Sequence, residues 1–352
     1  MKKPQKFFCA GENRRAMHEV FLKLIEAMRS NCYDGLTDIC TWDCKADFST
    51  VGHLSGINEI REKLAWPGPQ TEISKASIWN FVARSDKIKG QQLAYVQFIR
   101  AIDDGCEVYP FLYGGEFINN FIFVDGQWKI SYIRFDLCYE EGNNLFVYPD
   151  WTLIDYARYS GHEPMVNAEL DNPWLVVPVD SDPQSDEEQV FELMYKYAFA
   201  FDHGDFRFLQ SFVTEDFFIN GSGQRKDYWS VPLENGDFLG HRIVSDFLRD
   251  KYHKEAKMMH ACRMKSIEIN GDTAVAIMPR GEEHRLKKNI LSSENIHSMF
   301  STALHFIYAK KVNHEWKMYK YRIEPISEAI PVSDDCLEYH EYLLEAKQNG
   351  SM

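Results

Sequence analysis

Two stretches far apart in the chain carry the same pattern. VDGQWKISYIRFDL (124–137) and VNHEWKMYKYRIEP (312–325) each run from a turn into a strand, and in each a Trp is followed six residues later by an Arg, Trp128 to Arg134 and Trp316 to Arg322. Other segments precede them in the same order. The apolar-periodic stretch 186–203 matches 14–29, Asp216-Phe217 matches Asp47-Phe48, FLGHRIVSDFL (238–248) matches LSGINEIREKL (54–64), and Thr273–Ile277 matches Leu93–Gln97. A repeat of this length in 352 residues is a tandem pair of one domain, not a solenoid of short units. Each copy reads as a helix followed by alternating strands, with Val124-Asp125-Gly126-Gln127 as a hairpin signal. That is an α+β pattern with a mainly antiparallel sheet.

The second copy opens on the most informative helix. Val190, Phe191, Met194, Tyr197, Ala198 and Phe201 recur at helical spacing. Ser185 and Glu188 form a capping box at its start, and Gly204 stands where the helix should end. Asp202 falls in the last turn, where a negative charge opposes the helix dipole. Three readings of it stand side by side: exposure to solvent, a cap for a short helix starting near Asp205, or a functional carboxylate. In the first copy, Arg14–Arg29 is helical, with Val20, Phe21, Leu24, Ile25 and Met28 as its stripe.

The segments expected are a repeat unit at 13–138, a connector at 139–184, a second unit at 185–330 and a tail at 331–352 with an amphipathic helix (334–348). The connector is rich in Pro and Asp, and its Trp151 and Trp174 suggest that it packs on a domain. A net charge of −14 argues against nucleic acid or an anionic membrane as partner. No apolar run is long enough to span a bilayer, and MKKPQKFFCAGENRR does not read as a signal peptide. Eight scattered cysteines without a CxxC read as reduced thiols in a cytoplasmic protein. His284, His297 and His305 with Glu282 and Glu283 fit no standard metal spacing. GGEF (114–117) reads as part of a strand, Gly221-Ser222-Gly223 as a loop that cradles no phosphate, and 280–297 as a loop between long strands.

YAFAFDHGDF, the acidic pair before FFING, FLGHRIVSDFL, MMHACRMKSIEINGDTAVA and WKMYKYRIEP together resemble the SnoaL-like branch of the nuclear-transport-factor-two-like superfamily. The resemblance covers 185–326 well and 14–138 more loosely. It implies two tandem cone-shaped α+β barrels, each a curved antiparallel sheet wrapped by helices around an apolar pocket. Within the family the second unit resembles the bile-acid 7-alpha-dehydratase and scytalone dehydratase type. That likeness implies an active site of Tyr197, Asp202, His260 and Arg322.

Those residue types suit elimination beside a carbonyl. His260 would be the base or proton shuttle, Asp202 would fix its tautomer, and Tyr197 would donate to a developing oxyanion. Arg322 would hold Asp202 ionised, and period two on the last strand would put Trp316, Met318, Lys320 and Arg322 on one face. The first copy offers only Ile25 and Ser30 near the Tyr and Asp positions and no His between His53 and His162, so only Arg134 survives there. The expectation is a cofactor-free, metal-free lyase acting on a hydroxylated polycyclic or steroid-like carbonyl compound. The first copy would be a structural partner paired with the second, and further self-assembly is left open. A ketosteroid-type isomerase, a non-catalytic binder of a hydrophobic small molecule and an interaction scaffold are the alternatives. Residue by residue, Tyr197 is equally a core aromatic, His260 a structural histidine and Arg322 a part of the fold.

Overall fold

The computed structural model describes residues 11–65, 71–103, 105–142, 165–220, 256–286 and 298–331. They divide into two compact units, one taking the described residues up to Pro183 and the other those from Gln184 on. FLGHRIVSDFL, Gly221-Ser222-Gly223, Trp151 and the tail helix expected at 334–348 lie outside the described residues. Among the described residues no helix is long and apolar enough to cross a membrane. Among the described cysteines none is in a disulfide.

The first unit begins with α1 (Glu12–Ser30), α2 (Leu36–Ile39), β1 (Cys40–Phe48), β2 (Gly52–Ser55) and α3 (Ile57–Leu64). It continues through β3 (Ile73–Ser85), β4 (Lys89–Asp103), β5 (Val108–Val124), β6 (Gln127–Gly142) and the short α4 (Pro173–Val176). Its sheet runs β2-β1-β6-β5-β4-β3, antiparallel except where β1 meets β6. The buried stripe of α1 (Met17, Phe21, Leu24, Ile25, Met28) packs on Phe81, Phe117, Ile133 and Phe135 of the sheet. Asp125 and Gly126 both take positive φ (52° and 79°). That is the geometry a two-residue hairpin with a primed turn requires.

The connector packs on this unit. Gly11 at the α1 N-cap has no side chain to offer. Asp182 supplies the acceptor instead, taking the backbone N–H of Arg14 at 2.7 Å and the side-chain amide of Asn13 at 2.9 Å. A carboxylate there satisfies orphan donors and meets the positive end of the helix dipole. Arg14 pairs with Asp180 at 2.9 Å, and Arg84 donates to the carbonyls of Val177 and Pro178. Asp136 accepts the backbone N–H groups of Met165 and Val166, and Trp174 is buried.

The second unit comprises α5 (Asp186–His203), α6 (Phe206–Phe212), β7 (Val213–Asn220), β8 (Ala256–Cys262), β9 (Ser266–Asn270), β10 (Thr273–Leu286), β11 (Ser298–Val312) and β12 (Glu315–Pro331). Its sheet runs β7-β12-β11-β10-β8, with β9 also on β10, and β7 meets β12 in parallel. The capping box of Ser185 and Glu188 forms, and Gly204 closes α5 in the left-handed conformation. The segment from Arg280 to Leu286, read from sequence as part of a loop, is a continuation of β10, with Arg280–Arg285 paired to both β8 and β11 and Leu286 to β8.

The same details recur in both units and correct the sequence alignment of the halves. The indole N–H of Trp128 donates to Asn13 at 3.1 Å, and that of Trp316 to Asp186 at 2.8 Å. Asn13 and Asp186 are therefore counterparts, and the Tyr197 and Asp202 positions fall on Leu24 and Arg29, one residue from the Ile25 and Ser30 expected. In the first strands, Asp47 lies opposite Arg134 while Asn220 lies opposite Arg322. Asp47 therefore corresponds to Asn220, not to Asp216. Likewise Ala94 pairs with Phe117 where Met278 pairs with His305. This moves the Thr273–Ile277 match by four residues. Each last strand also carries a bulge three residues after its Trp, at Ser131 and at Tyr319.

Candidate active site

Asp202 and His260 are brought together. The carboxylate, in the last turn of α5, takes the backbone N–H of His260 on Oδ2 at 3.0 Å, and Oδ1 contacts the ring Nδ1. Both residues are buried, His260 at 3 % exposure and Asp202 at 9 %. A carboxylate at a helix C-terminus opposes the dipole; two donors from β8, one on each oxygen, offset that. Solvent exposure is thus excluded as the reason for Asp202. The cap of the next helix is a different residue, Asp205, whose carboxylate accepts the N–H of Phe208 at 2.9 Å.

Tyr197 lies one helical turn before Phe201, its ring stacked on Phe201 at 4.3 Å and tilted against Tyr321 at 4.5 Å. Phe201 meets His260 edge-on at 6.4 Å, and Tyr321 meets His305 at 5.0 Å with its hydroxyl bonded to the ring Nδ1. His260, Phe201, Tyr197, Tyr321 and His305 thus form a continuous row of rings with an imidazole at each end. Tyr321 and His305 are fully buried. In the sequence nothing marks Tyr321, and His305 stands out only as a metal-ligand candidate. The missing signal was strand parity.

Parity also corrects Arg322. The bulge at Tyr319 breaks period two, so β12 buries Trp316, Met318 and then Tyr321. Arg322 falls on the other face, beside its cross-strand neighbour Phe306, with the guanidinium 4.0 Å from that ring. The expected shared face of Trp316, Met318, Lys320 and Arg322 does not form. Arg134 is placed the same way, 3.9 Å over Tyr132 and bonded to Asp171 at 3.3 Å.

Following the paired registers, the first unit holds Leu24 for Tyr197, Arg29 for Asp202, Ala76 for His260, Phe117 for His305 and Ile133 for Tyr321. Leu24, Phe117 and Ile133 are fully buried in its core. Arg29 turns to Glu26 and to the carbonyl of Ser74. Among the described residues no group of three or more metal-binding side chains occurs.

With Nδ1 tied to a carboxylate, the neutral imidazole of His260 carries its proton on Nδ1, and Nε2 is the basic nitrogen. The arrangement suits proton abstraction and return without a cofactor.

No curated protein matches the chain. Among solved structures, a scytalone dehydratase-like protein from Novosphingobium aromaticivorans is 15% identical, with 37% of this chain and 86% of that one covered at a TM-score of 0.33. A hexachlorocyclohexane dehydrochlorinase from Novosphingobium barchaimii is also 15% identical (37% and 89% covered, TM-score 0.32). A ketosteroid isomerase-like protein from Erwinia carotovora atroseptica is 16% identical (41% and 100%, TM-score 0.31). Residues 183–322, which hold Tyr197, Asp202, His260, His305, Tyr321 and Arg322, match the SnoaL-like domain family.

Proposed function

We propose that the second unit is a cofactor-free lyase that removes water from a hydroxylated polycyclic or steroid-like carbonyl compound. The observation that carries this reading is the buried Asp202–His260 pair, in which one carboxylate fixes both the ring and the backbone of the base. Nε2 of His260 takes the proton from the carbon beside the carbonyl, and the electron pair moves into an enolate. As the enolate collapses to the conjugated product, the neighbouring hydroxyl leaves with the proton held by the imidazolium, so one water is lost and His260 is regenerated. Asp202 stabilises the imidazolium, and Tyr197 donates to the enolate oxygen. Tyr321, backed by His305, stands beside Tyr197 and orients its ring.

The chain as a whole is two copies of one cone-shaped α+β fold, with the acid–base set kept in the second. The recurring Trp–helix bond and the recurring bulge support this. The first copy, with Leu24, Arg29 and Ala76 in place of Tyr197, Asp202 and His260, lacks the acid–base set and serves as its structural partner.

The test is mass spectrometry of the purified chain incubated with hydroxy-ketosteroids and related polycyclic hydroxy-ketones, with His260→Ala as control. Loss of water with the native protein alone supports the lyase. Unchanged mass with altered retention would replace it by an isomerase using the same pair. Binding without turnover would leave a small-molecule carrier.

A further inference from the structure

Arg280 takes no part in the mechanism above, yet strand register sets it beside both imidazoles. It stands opposite Cys262 on β8 and opposite Ala303 on β11, and β10 keeps one register along each pairing. Residues directly opposite share a face, as do residues two apart on one strand. Cys262 is two residues from His260, and Ala303 is two residues from His305. Arg280 therefore lies on the face of the sheet that carries both histidines, as the cross-strand diagonal neighbour of each, about 7 Å away. Cys262 and Ala303, which flank it, are small and buried, and Arg280 itself is half-buried. By the same registers the first unit has Val96 there, fully buried in its core. The cation, like His260 and His305, belongs to the second unit alone of the two.

A second polar group reaches Cys262 from the helix. Tyr195 precedes Asp202 by seven residues, two turns of α5, and so lies on the same face of the helix. As Asp202 meets His260, Tyr195 lies beside Cys262. It is 4 % exposed, and its hydroxyl has no hydrogen-bond partner among the described residues. Burial first, then the neighbouring Cys262 and Glu192, push its ionisation upward, so it remains a hydroxyl able to donate. Glu192 is itself bonded to Gln184 and pairs with Lys196 at 3.9 Å. A buried hydroxyl left without a partner is costly, and an oxygen of a ligand would complete it. Arginine favours planar carboxylates, whose two oxygens match its fork. We propose that the substrate of the second unit carries a carboxylate, held by Arg280 and Tyr195 on either side of Cys262, while the carbon that loses its proton lies at His260. The proposal rests on the lyase reading above and narrows its substrates to hydroxylated polycyclic keto acids.

The test is calorimetry of the full chain with an androstenone carboxylic acid that has no alcohol group, and with its methyl ester. Neither has a hydroxyl to lose, so binding is read without turnover. The acid is expected to bind at least about ten-fold more tightly than the ester. Arg280→Met keeps the apolar stem and should abolish that preference, with ester affinity within about two-fold of native. Tyr195→Phe removes a hydroxyl that has no partner, so its melting temperature should not fall, and the acid should bind about five-fold more weakly. It carries the test if Arg280→Met fails to fold. Asp202→Asn, which stops the chemistry, should keep the preference for the acid. The proposal is overturned by an ester that binds as tightly as the acid, by binding of neither compound, or by a preference that survives Arg280→Met or Tyr195→Phe undiminished. Turnover of hydroxy-ketones with no preference for the acid would overturn it and leave the lyase standing. Preference for the acid without turnover of any hydroxy-ketone would overturn the lyase and leave the carboxylate site in a carrier.

Discussion

The two oxygens of the Asp202 carboxylate hold two different nitrogens of one residue, the backbone N–H and the ring Nδ1 of His260. An amide in that place has only one acceptor. If its oxygen keeps the backbone N–H, its NH2 faces Nδ1, and the imidazole must move its proton to Nε2. Asp202→Asn is therefore expected to lower kcat by roughly 10³–10⁴-fold, as a wrong tautomer does in other Asp-oriented histidines, with substrate affinity within a few-fold. The ring-proton signals of His260 in 15N NMR should report Nε2–H instead of Nδ1–H. Retention of the original tautomer in an inactive variant would show that orientation is not what Asp202 supplies.

A second relationship separates catalysis from stability. Tyr321 and His305 are bonded and fully buried, and the first unit fills the same positions with Ile133 and Phe117. Removing one partner leaves the other buried without this bond, at a cost of about 1–3 kcal/mol. Replacing both by apolar groups of similar size is nearly neutral. Tyr321→Phe is expected to lower the melting temperature, and the double variant Tyr321→Ile/His305→Phe to recover most of that loss while turnover stays at least ten-fold reduced. Full turnover in the stable double variant would show that the pair is only packing.

Much of this is legible in the sequence. Helix α5 announced itself through its apolar spacing, its capping box and Gly204, because these are local signals. The Trp-to-Arg spacing shared by the two halves is likewise local and visible in the sequence. What the sequence hid was register. A one-residue bulge at Tyr319 exchanges the faces of Tyr321 and Arg322, and nothing in WKMYKYRIEP marks it. The same blindness shifted the match of Asp47 from Asn220 to Asp216 and put Ile25 where Leu24 stands. Asp202 was readable as an anomaly of the helix dipole, but its partner sits on a strand 58 residues away, and only a family resemblance pointed to it. The connector's role was hidden for the same reason, since Asp182 caps a helix 168 residues earlier.

That cap makes its own prediction. Asp182→Ala removes the acceptor for the Arg14 N–H and the Asn13 amide, and Gly11 cannot replace it. A cost of about 1–2 kcal/mol is expected, since the site is buried and combines a cap with a dipole contact. Hydrogen exchange should show the first turn of α1 losing protection along with the backbone at Ser181, which donates to the carbonyl of Ser85. Protection unchanged at both would mean that the connector is held without this contact.

Arg322 gives the sharpest contrast with the sequence reading. Its guanidinium lies over Phe306, on the face opposite Tyr321. Arg322→Met keeps the aliphatic stem and loses the cation over the ring, worth about 0.5–1 kcal/mol. The expected outcome is a small fall in melting temperature with kcat within about three-fold of native. A loss of kcat of a hundred-fold or more at intact stability would return Arg322 to the chemistry.

Asp186 links α5 to the hairpin of β11 and β12, and it should tie stability to pH. Its carboxylate accepts from the indole of Trp316 and pairs with Lys311 at 2.9 Å, within the first turn of the helix. The Trp316 bond first and the Lys311 bond next hold its ionisation below the usual carboxylate range. A depressed carboxylate adds stability that is present above its unfolded pKa of about 4 and is lost as pH falls through the lower folded value. The side chain is 40% exposed, so solvent screening keeps the contribution to roughly half a kcal/mol. Asp186→Asn keeps the shape and one acceptor but removes the charge. Its melting temperature should lie below the native one at pH 7, and the gap should narrow progressively as the pH falls below the usual carboxylate range of about 4. Added salt at pH 7 should narrow the gap as well, because the Lys311 contact is partly exposed. A gap that persists unchanged in acid would mean that the bond to Trp316 matters through geometry alone, not through the charge at the helix N-terminus.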